Sequence, residues 1–398
     1  MIKRISSLFL TLASLFVQAQ DRTISVGLLQ DRTVRHIMVM STKGNCSVLV
    51  DGKRIGEVKA NDGLLVDLVD GKIKGKSLSL AFTATTSVEL VPQLESGGFR
   101  LRSMDHKLAE RTYPGALTIT NNGGSFKLVD AADIEAYTEG VVKAEAGNKH
   151  HVEYYKLQSV SCRTYALSNT RKHALDGFQL CDGVHCQVFY GINTNDSIHQ
   201  AVEATKGLVL VDPNIKLIHA TFHSNCGGET VNAEDLWSKR EPYLRATKDT
   251  FCLASPHATW KKTLTRKEWL HYLNTKYKIR TNDKDQLHAV LNYAPECRDL
   301  YLANTWPLVP LKNVREDLKL RSTFFSVHAQ GDNVVLEGRG FGHGVGLCQE
   351  GSMRMARSGL GYMDILHHYY KDVHLVDVSS VEFFRAEEQV GNSFGTNP

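Results

Sequence analysis

The fold is decided around the stretch IEAYTEGVVKAE, residues 134–145, where a β-rich pattern gives way to helical spacing. Apolar side chains recur between Ile134 and Val142 with the period of an amphipathic helix. Asp133 is suited to the N-cap, and Gly147 is typical of a residue that ends a helix. The sequence therefore predicts a helix that begins after Asp133 and carries a glutamate in its last turn.

The segments on either side differ in character. Residues 24–129 contain short apolar runs broken by glycine and aspartate, which predict strands and hairpins. Further along, the patterns predict a second helix over 151–172, buried strands over 207–211 and 218–222, and a hairpin within 324–337. Strands and helices do not alternate regularly, so the sequence predicts an α+β fold with a β-rich N-terminal region.

The composition excludes several classes of protein. The chain has 398 residues, with 47 Lys and Arg against 43 Asp and Glu and a formal net charge of +4. This small excess, without a dense basic run, argues against a nucleic-acid partner. Hydrophobic residues make up 42% of the chain, enough to bury a core and to exclude disorder over the whole length.

The N-terminus predicts export. Lys3 and Arg4 precede the apolar run Ile5–Val17, and small residues at positions 17 and 19 suit signal peptidase. We expect residues 1–19 to be a signal peptide cleaved after Ala19; an uncleaved membrane anchor is the alternative. The run is shorter than the ~20 residues of a spanning helix, and no later segment is long and apolar enough to span. The mature chain is therefore expected to lack a transmembrane segment and to reach a compartment that permits disulfides.

Two features suggest a catalytic cleft. Glu145 has apolar neighbours on its helix, which would raise the pKa of its carboxyl and suit a general acid; the alternative is an exposed glutamate at a helix end. The segment GRGFGHGVG, residues 338–346, has glycine at every second position. One face of a strand there would carry no side chains, so either a ligand or another element must approach the backbone closely. His343 and Gln349 add polar groups and favour a ligand.

Two further motifs contain polar or metal-binding residues. The run CDGVHC, residues 181–186, together with His173, offers two cysteines and two histidines to a Zn²⁺ ion. A local disulfide or a pair of free thiols would explain the same pattern. The run FHSNCGGET, residues 222–230, predicts a strand that enters a Gly-Gly turn. Its polar side chains either line a pocket or belong to an ordinary turn.

Taken together, these motifs resemble one family, SpoIID/LytB, which comprises stage II sporulation protein D and the amidase enhancer LytB. The resemblance extends from Tyr113 to about Leu375 and is loose before Tyr113. It is carried by the motifs IEAYTEGVVKAE (134–145), KLQSVSCRTYAL (156–167), CDGVHCQ (181–187), FHSNCGGET (222–230), LKLRSTFF (318–325) and GRGFGHGVGLCQ (338–349). We accordingly divide the chain into a signal peptide (1–19), a β-rich region (20–112), a mixed α/β SpoIID-like domain with a central catalytic cleft (113–378) and a flexible tail (379–398).

The resemblance implies that the protein acts on peptidoglycan, either as an enzyme or as an enhancer of one. Sporulation protein D is a lytic transglycosylase, which cleaves glycan strands without water and leaves a 1,6-anhydro-muramic product. Glu145 stands at the family's catalytic position. The other branch implies a wall-binding enhancer of an N-acetylmuramoyl-L-alanine amidase, with no catalysis of its own. A zinc hydrolase is a third, weaker interpretation, because Cys-rich sites that complete a tetrahedron are usually structural.

The resemblance also implies roles for further side chains. We assign zinc binding to Cys181, His185, Cys186 and His173, since similar family members carry zinc there. We also expect disulfides between Cys226 and Cys348 and between Cys252 and Cys297, with two buried thiols as the alternative for the first pair. The substrate-binding residues that we expect beside Glu145 are Arg163, His223, Ser224, His343 and Gln349.

Overall fold

The structure is a computed structural model that describes residues 23–237, 239–304 and 306–383. The predicted signal peptide lies outside these residues, as does the tail from residue 384 onward. Among the described residues, no helix has the length and apolar character needed to cross a membrane.

The N-terminal part of the chain folds into two β-sheets. One sheet has seven strands in the order β13-β1-β12-β11-β8-β3-β4, and the other has six in the order β10-β9-β2-β5-β6-β7. The strands are Thr23–Leu28 (β1), His36–Ser41 (β2), Cys46–Val50 (β3), Lys53–Val58 (β4), Gly63–Val69 (β5), Lys72–Lys76 (β6), Ala81–Ala84 (β7), Ser87–Pro92 (β8), Phe99–Ser103 (β9), Arg111–Tyr113 (β10), Ala116–Asn122 (β11), Ser125–Asp133 (β12) and Leu180–Cys181 (β13).

The predicted β-rich region is present, and its sheet continues beyond residue 112. Strands β11 and β12 lie after that predicted boundary, yet β11 pairs with β8 and β12 pairs with β1. Buried and partly exposed side chains alternate along β12, as expected for a strand with one face on the core. This sheet therefore leads directly into the first helix, which begins where β12 ends.

The rest of the chain adds helices and short strands. The helices are Ile134–Ala146 (α1), Val152–Ser168 (α2), Asp196–Ala204 (α3), Ala233–Trp237 (α4), Arg266–Tyr277 (α5), Lys284–Leu291 (α6), Leu311–Asp317 (α7), Gln349–Arg357 (α8) and Tyr362–Tyr369 (α9), with 3₁₀ turns at Ala174–Asp176 and Leu302–Asn304. The remaining strands are Leu208–Val211 (β14), Phe222–His223 (β15), Thr259–Thr265 (β16), Asn292–Tyr293 (β17), Phe325–Gln330 (β18), Asn333–Arg339 (β19), Leu347–Cys348 (β20) and His374–Asp377 (β21). The mixture confirms the predicted α+β class.

Helix α1 forms as its sequence predicts. The carboxylate of Asp133 accepts hydrogen bonds from the N–H groups of Glu135 and Ala136, which caps the helix. Gly147 follows with a φ of 72°, a conformation that L side chains avoid, and it ends the helix. These two boundaries place Glu145 in the last turn of α1.

Residues 259–339 contribute a second hydrophobic core. A four-stranded sheet in the order β16-β19-β18-β17 packs against α5, and its core includes Trp269 and Phe325. The prediction of a strand over 218–222 is wrong about its length. The strand there is only Phe222–His223, which pairs in parallel with β20. That short pair carries the chain toward the candidate site.

Candidate functional site

The candidate site is a cavity of about 280 Å³ at the end of α1. Its walls come from α1, α2, the loop after β13, the chain around β15 and the glycine-rich segment. It is lined by Glu145, Tyr165, Val184, His185, Cys186, Gln187, Val188, Thr221, Phe222 and His343. Motifs that are far apart in sequence thus meet at one cavity.

Glu145 lies in the cavity wall, in surroundings that raise the pKa of its carboxyl. The side chain is partly buried, and burial raises the pKa of its carboxyl above the ordinary value of 4.5. Its position in the last turn of α1 adds the negative end of the helix dipole, which also disfavours a carboxylate. Val188 N–H donates to Glu145 Oε1 at 2.8 Å, which fixes one oxygen of the group.

His343 lies in the same cavity, but its ring is fixed by the backbone. Its Nε2 lies 2.9 Å from the carbonyl oxygen of Phe222, and its Nδ1 accepts from Val345 N–H at 3.1 Å. This pattern assigns the proton to Nε2 in a neutral ring. Burial lowers the pKa of His343 to about 4, which agrees with the neutral form. His343 therefore shapes the wall next to Trp237, whose ring centroid is 5.3 Å away.

Arg163 does not reach the cavity. Its side chain is fully buried, and its guanidinium forms an ion pair with Glu135 of α1, with Nε donating at 2.9 and 3.0 Å. It also donates to the carbonyl oxygen of Leu208. The substrate-binding role expected for Arg163 is therefore replaced by a structural one, which ties α2 to α1 and β14.

Three other expected substrate-binding residues lie close to the cavity without lining it. His223 is buried, and its Nδ1 lies 3.2 Å from the carbonyl oxygen of Val345. Gln349 is buried at the start of α8. Ser224 follows His223 in the chain, and its carbonyl oxygen accepts from the N–H of Glu350, the residue after Gln349. In this structure the three residues support the wall that carries His343.

The alternating glycines form a looped segment in place of the expected strand face. Only Gly338 belongs to a strand, and the four glycines that follow have positive φ values. A Cβ at Gly346 would lie 2.4 Å from the carbonyl oxygen of Thr221, and one at Gly340 would lie 2.6 Å from that of Asn225. Another element of the chain therefore makes a close approach of the kind that the spacing predicted.

The four expected zinc ligands come together beside the cavity. The donor atoms of His173, Cys181, His185 and Cys186 lie within 4.8 Å of one another. His185 Nδ1 is 3.9 Å from each Sγ atom, close to the about 3.5–3.8 Å between donors in a tetrahedral zinc site. A hydrogen bond from the Cys186 thiol lowers the pKa of Cys181 to about 4, which favours a thiolate.

His173 gives the clearest sign that the cluster suits a metal. Its Nδ1 lies 2.7 Å from Asp176 Oδ2, the outer-shell contact usual for a metal-binding histidine. Its Nε2 is buried and has no hydrogen-bond partner among the described residues. Two thiols, two imidazoles and an unsatisfied ring nitrogen fit Zn²⁺.

Sequence reasoning missed two residues at the cavity edge. Tyr165 appears in the pattern as an apolar position of α2, but its ring lines the cavity. Lys172 donates to the Tyr165 hydroxyl at 3.1 Å and also to the carbonyl oxygen of His185. The hydroxyl of Tyr165, two residues after Arg163 in the KLQSVSCRTYAL motif, was the available signal.

The expected disulfides are not formed, and all eight cysteines are free thiols. Cys226 and Cys348 do lie side by side, as Cys226 N–H donates to Cys348 Sγ at 3.3 Å. The second expected pair is wrong: Cys252 Sγ lies 3.4 Å from Cys226 Sγ, and Cys297 is exposed. The motifs meet as predicted, but three thiols share one buried position.

Comparisons with known proteins agree with this arrangement. A family model described as stage II sporulation protein matches residues 122–211, which include Glu145 and the four candidate zinc ligands. An uncharacterized protein of Brachyspira hyodysenteriae is 28% identical over 275 residues, covering 68% of this chain and 73% of the relative.

Two further relatives come from Bacillus subtilis. Stage II sporulation protein D is 27% identical over 268 residues, covering 63% of this chain and 77% of the relative. An amidase enhancer is 27% identical over 289 residues, covering 58% of this chain but only 39% of the relative. The α+β fold and these matches confirm the predicted resemblance to the SpoIID/LytB family.

Proposed function

We propose that this protein is a lytic transglycosylase that cleaves peptidoglycan glycan strands with Glu145 as its general acid and base. Similarity to the stage II sporulation protein family model and to an amidase enhancer supports a role related to the cell wall. The observation that carries the proposal is a single carboxyl: among the described residues that line the cavity, Glu145 is the one acidic side chain. Ordinary glycosidases use two flanking carboxyl groups, whereas ring closure on the sugar itself requires only one.

The surroundings of Glu145 suit both steps of this reaction. In the first step the protonated carboxyl, which the raised pKa favours, donates to the glycosidic oxygen. The bond from C1 to that oxygen breaks, and the neighbouring sugar leaves with a free hydroxyl. In the second step the carboxylate takes the proton from the C6 hydroxyl of the muramoyl residue. The C6 oxygen attacks C1 and closes the 1,6-anhydro ring, so no water is consumed. Val188 N–H holds Oε1, which leaves Oε2 for the substrate.

The zinc cluster has a supporting role in this proposal. When bound by His173, Cys181, His185 and Cys186, Zn²⁺ would supply a structural cross-link, because four protein ligands leave no open coordination position. The loop that carries Cys186 continues to Val188, whose N–H holds Glu145. The order of this loop therefore determines where the acid is placed.

The proposed site of action is the cell wall outside the membrane. The features of residues 1–19 support export, and a family relative named amidase enhancer supports a wall-associated location. Peptidoglycan glycan strands are the proposed substrate.

The test is incubation of the mature protein with purified glycan strands, followed by mass analysis of the products. Strands that end in 1,6-anhydro-muramic acid support the proposal. Products with ordinary reducing ends would show hydrolysis and would overturn the mechanism, and intact strands would overturn the activity.

A second candidate function is enhancement of a cell-wall amidase without catalysis. The match to an amidase enhancer over 58% of this chain favours it. The two functions differ in their dependence on Glu145. A Glu145→Gln variant that still increases the rate of stem-peptide release by an N-acetylmuramoyl-L-alanine amidase, while the wild-type chain forms no anhydro products, would favour the enhancer.

A further inference from the structure

A second group of metal-binding side chains lies outside the cavity. Cys226, Asp249, Cys252 and Cys348 are fully buried, and their donor atoms lie within 4.8 Å of one another. None of these four lines the cavity beside Glu145. The cluster is therefore separate from the candidate general acid, and it shares no residue with the Cys181–Cys186 loop.

The spacing within this cluster is that of a coordination site. Cys226 Sγ lies 3.4 Å from Cys252 Sγ and 3.2 Å from Asp249 Oδ2. Ligands at the usual Zn–S and Zn–O bond lengths, placed at the corners of a tetrahedron, are about 3.5–3.8 Å apart. The two observed separations fall within about half an ångström of those values.

The surrounding groups orient the donors. Cys348 Sγ accepts from Cys226 N–H at 3.3 Å and from Gly351 N–H at 3.4 Å. Tyr369 Oη donates to Asp249 Oδ2 at 2.8 Å. Hydrogen bonds of this kind to thiolates and carboxylates are typical of the outer shell of a metal site.

The charge of the cluster also calls for a cation. Asp249 is fully buried, its Oδ2 is contacted by the neutral Tyr369 hydroxyl and by the Cys226 thiol, and no salt bridge to it occurs in the part of the chain that the structure describes. The nearby guanidinium of Arg298 is engaged elsewhere, since it donates to the carbonyl oxygens of Cys226 and Glu229. A buried carboxylate without a counter-charge is strongly unfavourable, and a divalent ion bound between it and the thiols would supply that charge.

We propose that Cys226, Cys252, Cys348 and Asp249 bind one Zn²⁺ ion in a closed structural site. Three thiolates and one carboxylate oxygen are a suitable donor set for zinc, and four protein ligands leave no open position. The ion ties the end of β15 to the start of α8 and to the segment that carries Asp249. These elements hold the wall that carries His343 in place.

Metal content tests the site independently of glycan cleavage. In the Cys181→Ser variant the first cluster is broken, and protein purified without chelator should still contain about one Zn²⁺ per chain. Adding Cys252→Ser should remove that metal. Adding Cys297→Ser instead should leave it bound, because Cys297 is exposed and belongs to neither cluster. Co²⁺ in the Cys181→Ser protein should give thiolate-to-metal charge-transfer absorption.

Two results would overturn the proposal. One is a folded Cys181→Ser protein, as judged by circular dichroism, that contains no metal and takes up no Co²⁺. The other is a disulfide that joins any two of Cys226, Cys252 and Cys348 in non-reducing peptide maps. Should Cys181→Ser not fold, the wild-type chain decides: about two Zn²⁺ per chain support the second site, and one or none overturns it.

Discussion

Replacing Glu145 with glutamine tests the proposed chemistry with little change in shape. The amide oxygen can still accept the 2.8 Å hydrogen bond from Val188 N–H, so the side chain keeps its anchor. What is lost is the proton that passes to the glycosidic oxygen. Removing a general acid typically costs 10²–10⁴-fold in rate, about 3–5.5 kcal/mol in the activation barrier.

The stability of the same variant should not fall. Burial raises the pKa of Glu145, so the folded state disfavours the charged carboxylate, and a neutral amide removes that cost at neutral pH. We expect a free energy of unfolding equal to or slightly above that of the wild type, measured by urea denaturation. A loss of activity with unchanged stability would therefore reflect chemistry and not folding.

The assay is the release of 1,6-anhydro products from purified glycan strands, with Glu139→Gln as the matched control. Glu139 lies on the same helix, where it pairs with His199 at 2.8 Å, and it does not line the cavity. The control should keep activity within a few-fold of the wild type. Wild-type activity should also fall as pH rises through the raised pKa of Glu145, because the acid step needs the proton. Activity of Glu145→Gln within tenfold of the wild type would refute the assignment.

Three further predictions concern the framework around the site. Burial raises the pKa of Asp130 from 3.8 to about 8, so the free energy of unfolding should decline as pH rises from about 4 to 8, and a free energy independent of pH would contradict the shift. In chemical denaturation at pH 9, Asp130→Asn should raise the free energy of unfolding by a few kcal/mol, and by no more than about 6. Gly346→Ala should lower the free energy of unfolding by about 2–4 kcal/mol, because the new Cβ would clash with the carbonyl oxygen of Thr221. The control Gly331→Ala, also at positive φ but in open space, should lower it by about 1 kcal/mol, and equal melting temperatures for the two variants would contradict this. Arg163→Met should lower the free energy of unfolding by about 3–5 kcal/mol, because Glu135 would lose its buried partner. If this variant instead kept full stability and bound glycan more weakly, Arg163 would be a substrate-binding residue after all.

Local sequence rules predicted the helix that carries Glu145. Its apolar spacing, its cap at Asp133 and its glycine stop act within a few residues of one another. The second helix was placed equally well, with His151 as its N-cap, although it ends at Ser168, before the predicted end at residue 172. Rules of this kind operate over one turn of helix, so they hold without knowledge of the rest of the fold.

Pairing across the chain was harder to predict. Strand β11 hydrogen-bonds to β8, and β12 to β1. The local sequence does not predict these pairs, because the apolar pattern of a strand does not specify which strand lies beside it. The role of Arg163 was missed for a similar reason. Its partner, Glu135, is 28 residues away on another helix, and the motif shows a charged residue without showing what it contacts.

For Cys226 and Cys348 the predicted contact is correct, but the predicted disulfide is wrong. The two motifs that contain Cys226 and Cys348 were expected to meet, and the N–H of one contacts the sulfur of the other at 3.3 Å. The expected contact and the predicted export together suggested a disulfide, because the sequence does not show that Cys252 and Asp249 enter the same buried position. The spacing of four donors is a property of the folded chain and is visible only there.

One loop connects the candidate metal ligands to the candidate acid. The loop from Cys181 to Val188 is short, and it carries three of the four candidate zinc ligands as well as the N–H that holds Glu145. A side-chain hydrogen bond alone would leave that loop free to open, since one such bond contributes only about 1 kcal/mol. A bound metal ion would restrict the same loop much more strongly, because the free energy of metal binding is many times that of one hydrogen bond. In our proposal, therefore, the cluster limits the movement of the Val188 N–H and so fixes Glu145 in a position from which it can both donate and recover a proton.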